Sequence, residues 1–220
     1  MPDDWRSEGF VSHYNRLYGP GRAEVAAYLA RLRLVPGDVF VDFGCGQGDM
    51  LAVAAETVQT VVGVDVSPQQ LALARERLEG RSGARLIESA FLDFRWDGEP
   101  FTKGAARKAL HHLDDQQKGE FLRQVAPHFA PGALFILEDG VFDFDRAELE
   151  ARMPAVLEEA AVYYQDAWEA KRKDFVECLR HEFPTGRNAW EGAFAGAGFE
   201  IVDRWQASSF YGGLLARKTP

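Results

Sequence analysis

Hydrophobic positions along the first two thirds of the chain follow two rhythms in turn, a helical spacing and short β-rich runs. Val25, Tyr28, Leu29 and Leu32 recur on one helical face. Pro36-Gly37-Asp38 then turns the chain into Val39-Phe40-Val41-Asp42-Phe43, the near-continuous apolar run of a strand buried on both sides. Gly44 to Gly48 make a turn, Met50 to Val58 a helix, and Thr60 to Val66 a second, β-branched strand with an acid, Asp65, near its end. Ser67, Pro68 and Gln70 have the order of a helix start with a capping box, and Leu71, Ala74 and Leu78 line that helix's buried face. Ala84 to Glu88 supply a third strand. A fourth is expected within Phe101 to Leu110, although Thr102 to Lys108 is small and basic where a central strand ordinarily carries Val or Ile. Ala133 to Phe142 read as a long fifth strand, and Gly198 to Val202 with Phe210 to Ala216 as a closing antiparallel hairpin.

Between Asp145 and Pro184 the alternation stops. Leu149, Met153, Leu157, Ala160, Tyr164 and Trp168 mark one face of an interrupted helical segment. Pro154 is predicted to open a new helix there, and Lys171-Arg172-Lys173 followed by Asp174 to bring another break and cap. Strands alternating with helices predict an α/β fold, a doubly wound and mostly parallel sheet built as one domain over 1–220. An N-terminal helical cover over 1–35 and a helical cap inserted at 145–184 complete the expected organisation.

Composition narrows the function classes. With 46% hydrophobic and 27% charged residues the chain is neither disordered along its length nor fibrous. Its formal net charge of −9 sets a repulsive average field against a phosphate backbone, so no nucleic-acid partner is expected. The only cysteines, Cys45 and Cys178, are too few for a secreted disulfide scaffold, and Met1-Pro2-Asp3-Asp4 lacks the order of a signal peptide, which points to the cytoplasm. No apolar run approaches the roughly 18 residues that span a bilayer, so no membrane is expected either.

The segment richest in chemistry is Val41-Asp42-Phe43-Gly44-Cys45-Gly46-Gln47-Gly48, a G-x-G-x-G turn between a buried strand and a helix. Without side chains at Gly44 and Gly46 the loop can take positive φ and let a ligand touch main chain, and the next helix offers unpaired N–H groups. Asp65 follows Gly44 by 21 residues, where a carboxylate at the end of the neighbouring strand can accept from both hydroxyls of a ribose. The pair implies a nucleoside-containing cofactor. A dinucleotide fingerprint would place its third glycine at position 49, but Asp49 stands there and would oppose a pyrophosphate, which weighs against a nicotinamide oxidoreductase.

The pattern resembles the class I S-adenosylmethionine-dependent methyltransferases, and Ala109-Leu110-His111-His112-Leu113 and Pro131 to Ile136 also look like later signatures of that family. The resemblance implies a seven-stranded sheet whose last pair includes an antiparallel strand. It implies that Asp42 and the loop at Gly44, Cys45 and Gly46 hold the amino-acid end of S-adenosylmethionine, that Asp65 with Val66 holds the ribose, and that Phe91 borders the adenine. Ala90 stands where the family commonly has an acid for the adenine amino group, and Thr102 where its fourth strand begins Phe-Asp. The implied reaction is methyl transfer to a small-molecule acceptor with S-adenosylhomocysteine as product; a regulatory cofactor-binding protein without turnover is the rival. Tyr14 and Tyr18, in an aromatic N-terminal segment, are expected to cover the cofactor and set a ring near the sulfonium. His111 or His112 is the candidate base, with a pKa near neutrality. Adjacent histidines point in different directions and no third ligand is spaced for a metal, so none is expected.

Overall fold

Val39–Phe43 (β1) is buried at every position, and its place in the sheet explains why. In the computed structural model, which describes residues 5–220, β1 lies between two parallel neighbours, paired with Thr60–Asp65 on one side and Phe101–Arg107 on the other. Met1 to Asp4, whose order argued against a leader peptide, lie outside the described residues. In chain order the elements are α1 (Glu8–Tyr18), α2 (Arg22–Ala30), β1, α3 (Asp49–Ala54), β2 (Thr60–Asp65), α4 (Pro68–Arg77), β3 (Ala84–Glu88), β4 (Phe101–Arg107), α5 (Asp115–Val125) and β5 (Phe129–Asp139). There follow β6 (Val141–Phe142), α6 (Leu149–Tyr164), α7 (Trp168–His181), β7 (Thr185–Gly186), α8 (Arg187–Gly196), β8 (Phe199–Ser208) and β9 (Tyr211–Lys218). The large sheet has seven strands in the order β3-β2-β1-β4-β5-β9-β8, parallel through β5, with β9 antiparallel to both neighbours. The order reverses between β1 and β4, so a crevice opens at their carboxyl ends.

The unpromising composition of β4 has a packing cause. A Cβ built on Gly104 would stand 2.7 Å from ring carbons of Phe129. Phe129 in turn packs on Phe101, Phe135 and Phe199 within a continuous aromatic layer. The strand is small because its neighbours are large. Its basic residues both have partners: the Lys103 ammonium donates to the Leu32 carbonyl at 2.8 Å, and Arg107 pairs with Glu138 at 2.9 Å and with Glu24.

Four other expectations are corrected. The helix after the glycine loop ends at Ala54, not Val58. The fifth strand begins earlier, at Phe129, and stops at Asp139; after Gly140, Val141–Phe142 leaves the large sheet to pair with Thr185–Gly186, so the helical insertion enters and leaves through one two-stranded clasp. Pro154 lies inside α6 rather than opening a helix. Its missing N–H costs one bond, but Leu149, Met153, Val156 and Ala160 bury the helix face against Phe142, Phe175 and Phe210, and packing of that kind outweighs a local preference. The break falls instead at Gln165, with φ 48°, and α7 runs through Lys171 to Asp174 without interruption.

The N-terminal cover divides in two. Only α1 lies over the strand ends; α2 packs on a sheet face, where the Tyr28 hydroxyl donates to the carbonyls of Ala106 and Ile136. Ser67 caps α4 as expected, yet Gln70 does not close a capping box: its side-chain amide pairs reciprocally with that of Asn15 at 2.9 and 3.0 Å, which fastens α1 to α4. Among the described residues no helix is long and apolar enough to cross a membrane.

Candidate functional site

The glycine loop takes its shape from the strand beside it. Gly44 and Cys45 donate their amides to the Val64 carbonyl at 2.8 and 3.0 Å, and Gly44, Gly46 and Gly48 adopt φ of 78°, 52° and 81°, a region where a side chain is strained. Gly44 has no room for a side chain, since a Cβ would lie 2.4 Å from that of Ala109. Gly46 is the opposite case: the nearest group to its Cβ position is the Gln70 amide at 3.8 Å, so main chain is open to a ligand there. Asp65 is fixed by two backbone donors, Gly46 at 2.8 Å on one oxygen and Ser67 at 2.9 Å on the other. Burial pushes its carboxyl up from the ordinary value, and those amides pull against the rise.

Loop and acid face a cavity of about 990 Å³. Gly44, Gly46, Asp65, Val66 and Phe91 all line it, as does Tyr14. Ala90 is on the wall, but so is Asp93 in the next turn, a carboxylate in the region where the sequence seemed to lack one. Asp42 and Cys45 reach neither this cavity nor its neighbour. Cys45 turns its sulfur toward the Gly46 carbonyl at 3.7 Å. Asp42 is fully buried on β1 with no hydrogen-bond partner for either oxygen among the described residues. Burial, reinforced by Asp65, holds its carboxyl well above the ordinary range. An orphaned buried acid beneath a loop with open main chain, beside a fixed acid at the ribose position, suits an amino acid joined to a nucleoside.

A second cavity, of about 590 Å³, lies under α1 and α7 and has Tyr18, Tyr164, Phe175, Phe210 and Tyr211 on its walls. Trp5, Tyr14, Lys108, His112, Glu177 and Glu182 line both cavities and mark their junction. Tyr18 therefore belongs to the second cavity, not to a cover over the first. Lys108, with φ 52°, sets its ammonium about equally from the Tyr18 and Tyr211 rings, 6.0 and 5.8 Å from their centroids. Burial, with Arg107 nearby, lowers its pKa to about 8.

The histidine pair is built by residues the sequence did not single out. Asp139, at the carboxyl end of β5, accepts amides of Ala109, Leu110 and His111 on one oxygen, and on the other the Gly140 amide and the His111 ring, whose Nδ1 is 2.5 Å away. Glu182, at the end of the insertion, stands 3.2 Å from His111 Nε2 and 3.5 Å from His112 Nδ1. Burial alone would lower His111, but Asp139 and Glu182 hold it up at about 10; burial and the His111 charge press His112 down to about 4. The expectation of a histidine base poised near neutrality is not met: one ring is a bound cation and the other a weak base. An acid at the end of a strand was the one available signal for Asp139; Glu182 had none.

Residues 40–132 match a family described as a methyltransferase domain. An uncharacterized methyltransferase of Anoxybacillus flavithermus is 31% identical over 170 residues, which span 76% of this chain and 71% of the relative. Magnesium protoporphyrin IX methyltransferase from Synechocystis PCC 6803 with bound S-adenosylmethionine superposes with a TM-score of 0.67 at 16% identity, covering 99% of this chain and 94% of the other. CalS10, an amino pentose methyltransferase from Micromonospora echinaspora, superposes with a TM-score of 0.65 at 19% identity over 97% and 98% of the two chains. At such identities the structural likeness is one of fold. The chain belongs to the class I S-adenosylmethionine-dependent methyltransferases, and S-adenosylmethionine is its methyl donor.

Proposed function

We propose that this methyltransferase acts on a small molecule, held in the aromatic cavity with its accepting atom at the junction. The junction carries the reading: the cavity bearing Asp65 and the glycine loop meets the aromatic one across walls that both share. When bound, S-adenosylmethionine supplies a methyl group on a positive sulfur, which asks for in-line approach of a nucleophile more than for a strong base. Asp65 then accepts from the ribose hydroxyls, Phe91 and Asp93 border the adenine, and the main chain at Gly46 faces the amino-acid end. Tyr14, held edge-on by Trp5 at 4.8 Å between centroids, offers a ring to the cation.

Methylation of a hydroxyl or amine releases a proton. Lys108 lies on the shared wall and its pKa of about 8 leaves part of it neutral near physiological pH, so it takes the part the sequence assigned to His111 or His112. Aromatic walls and the net charge of −9 favour a compact, flat acceptor over RNA or DNA.

Calorimetry with S-adenosylmethionine, then S-adenosylhomocysteine release over small hydroxyl and amine acceptors and over RNA, tests the proposal. The expected result is turnover on a small acceptor, with Phe175→Ala raising KM for the acceptor and leaving cofactor affinity unchanged. Turnover on RNA alone, or cofactor binding with no turnover on any acceptor, overturns it.

A further inference from the structure

His111, His112 and Glu182 bring three metal-ligating side chains together on the wall between the cavities, although Glu182 comes from the far end of the insertion. We propose that these three residues bind a divalent transition-metal ion of the Zn²⁺ class, with an open coordination position at the junction for an oxygen of the acceptor.

Donor spacing supports it first. One ligand atom from each residue lies within 4.8 Å of the others, and Glu182 is 3.2 Å from His111 Nε2 and 3.5 Å from His112 Nδ1. A tetrahedral ion with bonds of about 2.0–2.1 Å separates its donors by about 3.3 Å, and the two contacts, each to a different oxygen of Glu182, are already near that spacing.

Support behind the ligands is the second ground. With the Asp139 carboxylate on His111 Nδ1, a metal would take Nε2 in place of the proton that ring now turns to Glu182, the carboxylate–histidine arrangement that orients metal-bound imidazoles. Asp139 is itself only 1% exposed and is held by four backbone amides. Glu182 is placed as firmly: its carbonyl accepts from Arg146 at 2.7 Å, the next amide, of Phe183, donates to the His111 carbonyl at 2.8 Å, and the Phe183 carbonyl accepts from the buried Lys118 at 2.6 Å. Two stretches remote in sequence are thus tied together on both sides of the cluster.

The third ground is the donor set and its exposure. Two imidazoles and one carboxylate suit zinc, cobalt, iron or manganese rather than magnesium or calcium. His112 and Glu182 line both cavities, and three protein ligands with one open position is the pattern of sites that take a substrate oxygen. The site stands whether or not the small-molecule reading does, since metal binding is measured without an acceptor.

The test is titration of the full, chelator-treated protein with Co²⁺, read by visible ligand-field absorption and by calorimetry. The expected result is one equivalent bound, with affinity at least roughly tenfold lower in His112→Ala and Glu182→Gln and reduced roughly 10- to 100-fold in Asp139→Asn. Circular dichroism and urea unfolding confirm that each variant is folded; where Glu182→Gln is not, His112→Ala decides. Absence of Co²⁺ binding to the wild type, or equal affinity in folded His112→Ala, overturns the site and shows the cluster to be an ion-pair network only. Loss of the donor-binding reading would instead show as absent S-adenosylmethionine affinity.

Discussion

The two cavities are built in opposite ways. The wall at the ends of β1 and β2 is main chain and one acid, set by neighbours within a few residues: glycines at positive φ and Asp65 held by the Gly46 and Ser67 amides. The wall at the ends of β4 and β5 is side chain, and its parts come from four places: Lys108, His111 and His112, Asp139, and Glu182. A local construction holds a part common to all reactions of a family. A construction gathered across the fold leaves the other half free to differ from one relative to the next.

Removing the hub of the second wall should have the largest effect. Asp139→Ala strips four amides and the His111 ring of a buried acceptor, and a loss of about 3–5 kcal/mol in urea unfolding is expected, as for breaking one side of a buried charged network. A loss below about 1 kcal/mol would mean that the second wall is held by something else. On the first wall, Asp65→Ala should weaken S-adenosylmethionine by about 1.5–3 kcal/mol in calorimetry, roughly 10- to 150-fold, the worth of hydrogen bonds to a charged group. Unchanged affinity would remove the ribose assignment. Between the two walls, Gly104→Val should destabilise by about 1–3 kcal/mol through overpacking on Phe129 and Phe135, measured by the same unfolding experiment.

Lys108 gives the smallest and most specific effect. Its folded pKa, about 8, lies below the ordinary 10.5, so between those values the unfolded chain holds more of the proton and stability rises with pH. The penalty of the buried ammonium is full below pH 8 and is relieved as pH climbs. Relative to Lys108→Met, the wild type should gain roughly 1 kcal/mol on going from about pH 8 to about pH 9. A flat difference would place the amine in water and take away its candidacy as the proton acceptor.

Legibility in the sequence follows the same division. β1, β2 and β3 can be read from apolar and β-branched runs because each run reports its own burial, and Gly44, Gly46 and Asp65 from spacing because that half of the site is local. β4 reads poorly because Gly104 reports the bulk of Phe129 and Phe135, which lie elsewhere in the chain. Pro154 and the run Lys171 to Asp174 mislead for a related reason: a local helix-breaking or charge signal is overruled by the buried face around Phe142, Phe175 and Phe210. Asp93, Asp139 and Glu182 acquire meaning only once the strands are ordered and the insertion has returned to its starting point.

That return has a consequence of its own. Since Val141–Phe142 and Thr185–Gly186 run side by side, the forty-odd residues between them begin and end at one closed collar. Whatever lies between them, the chain enters and leaves the insertion at one fixed point. A graft of another relative's segment at this collar would replace Glu177, His181, Glu182 and Phe183 on the wall of the donor cavity together with the third corner of the His111 cluster, so both cavities would change at once.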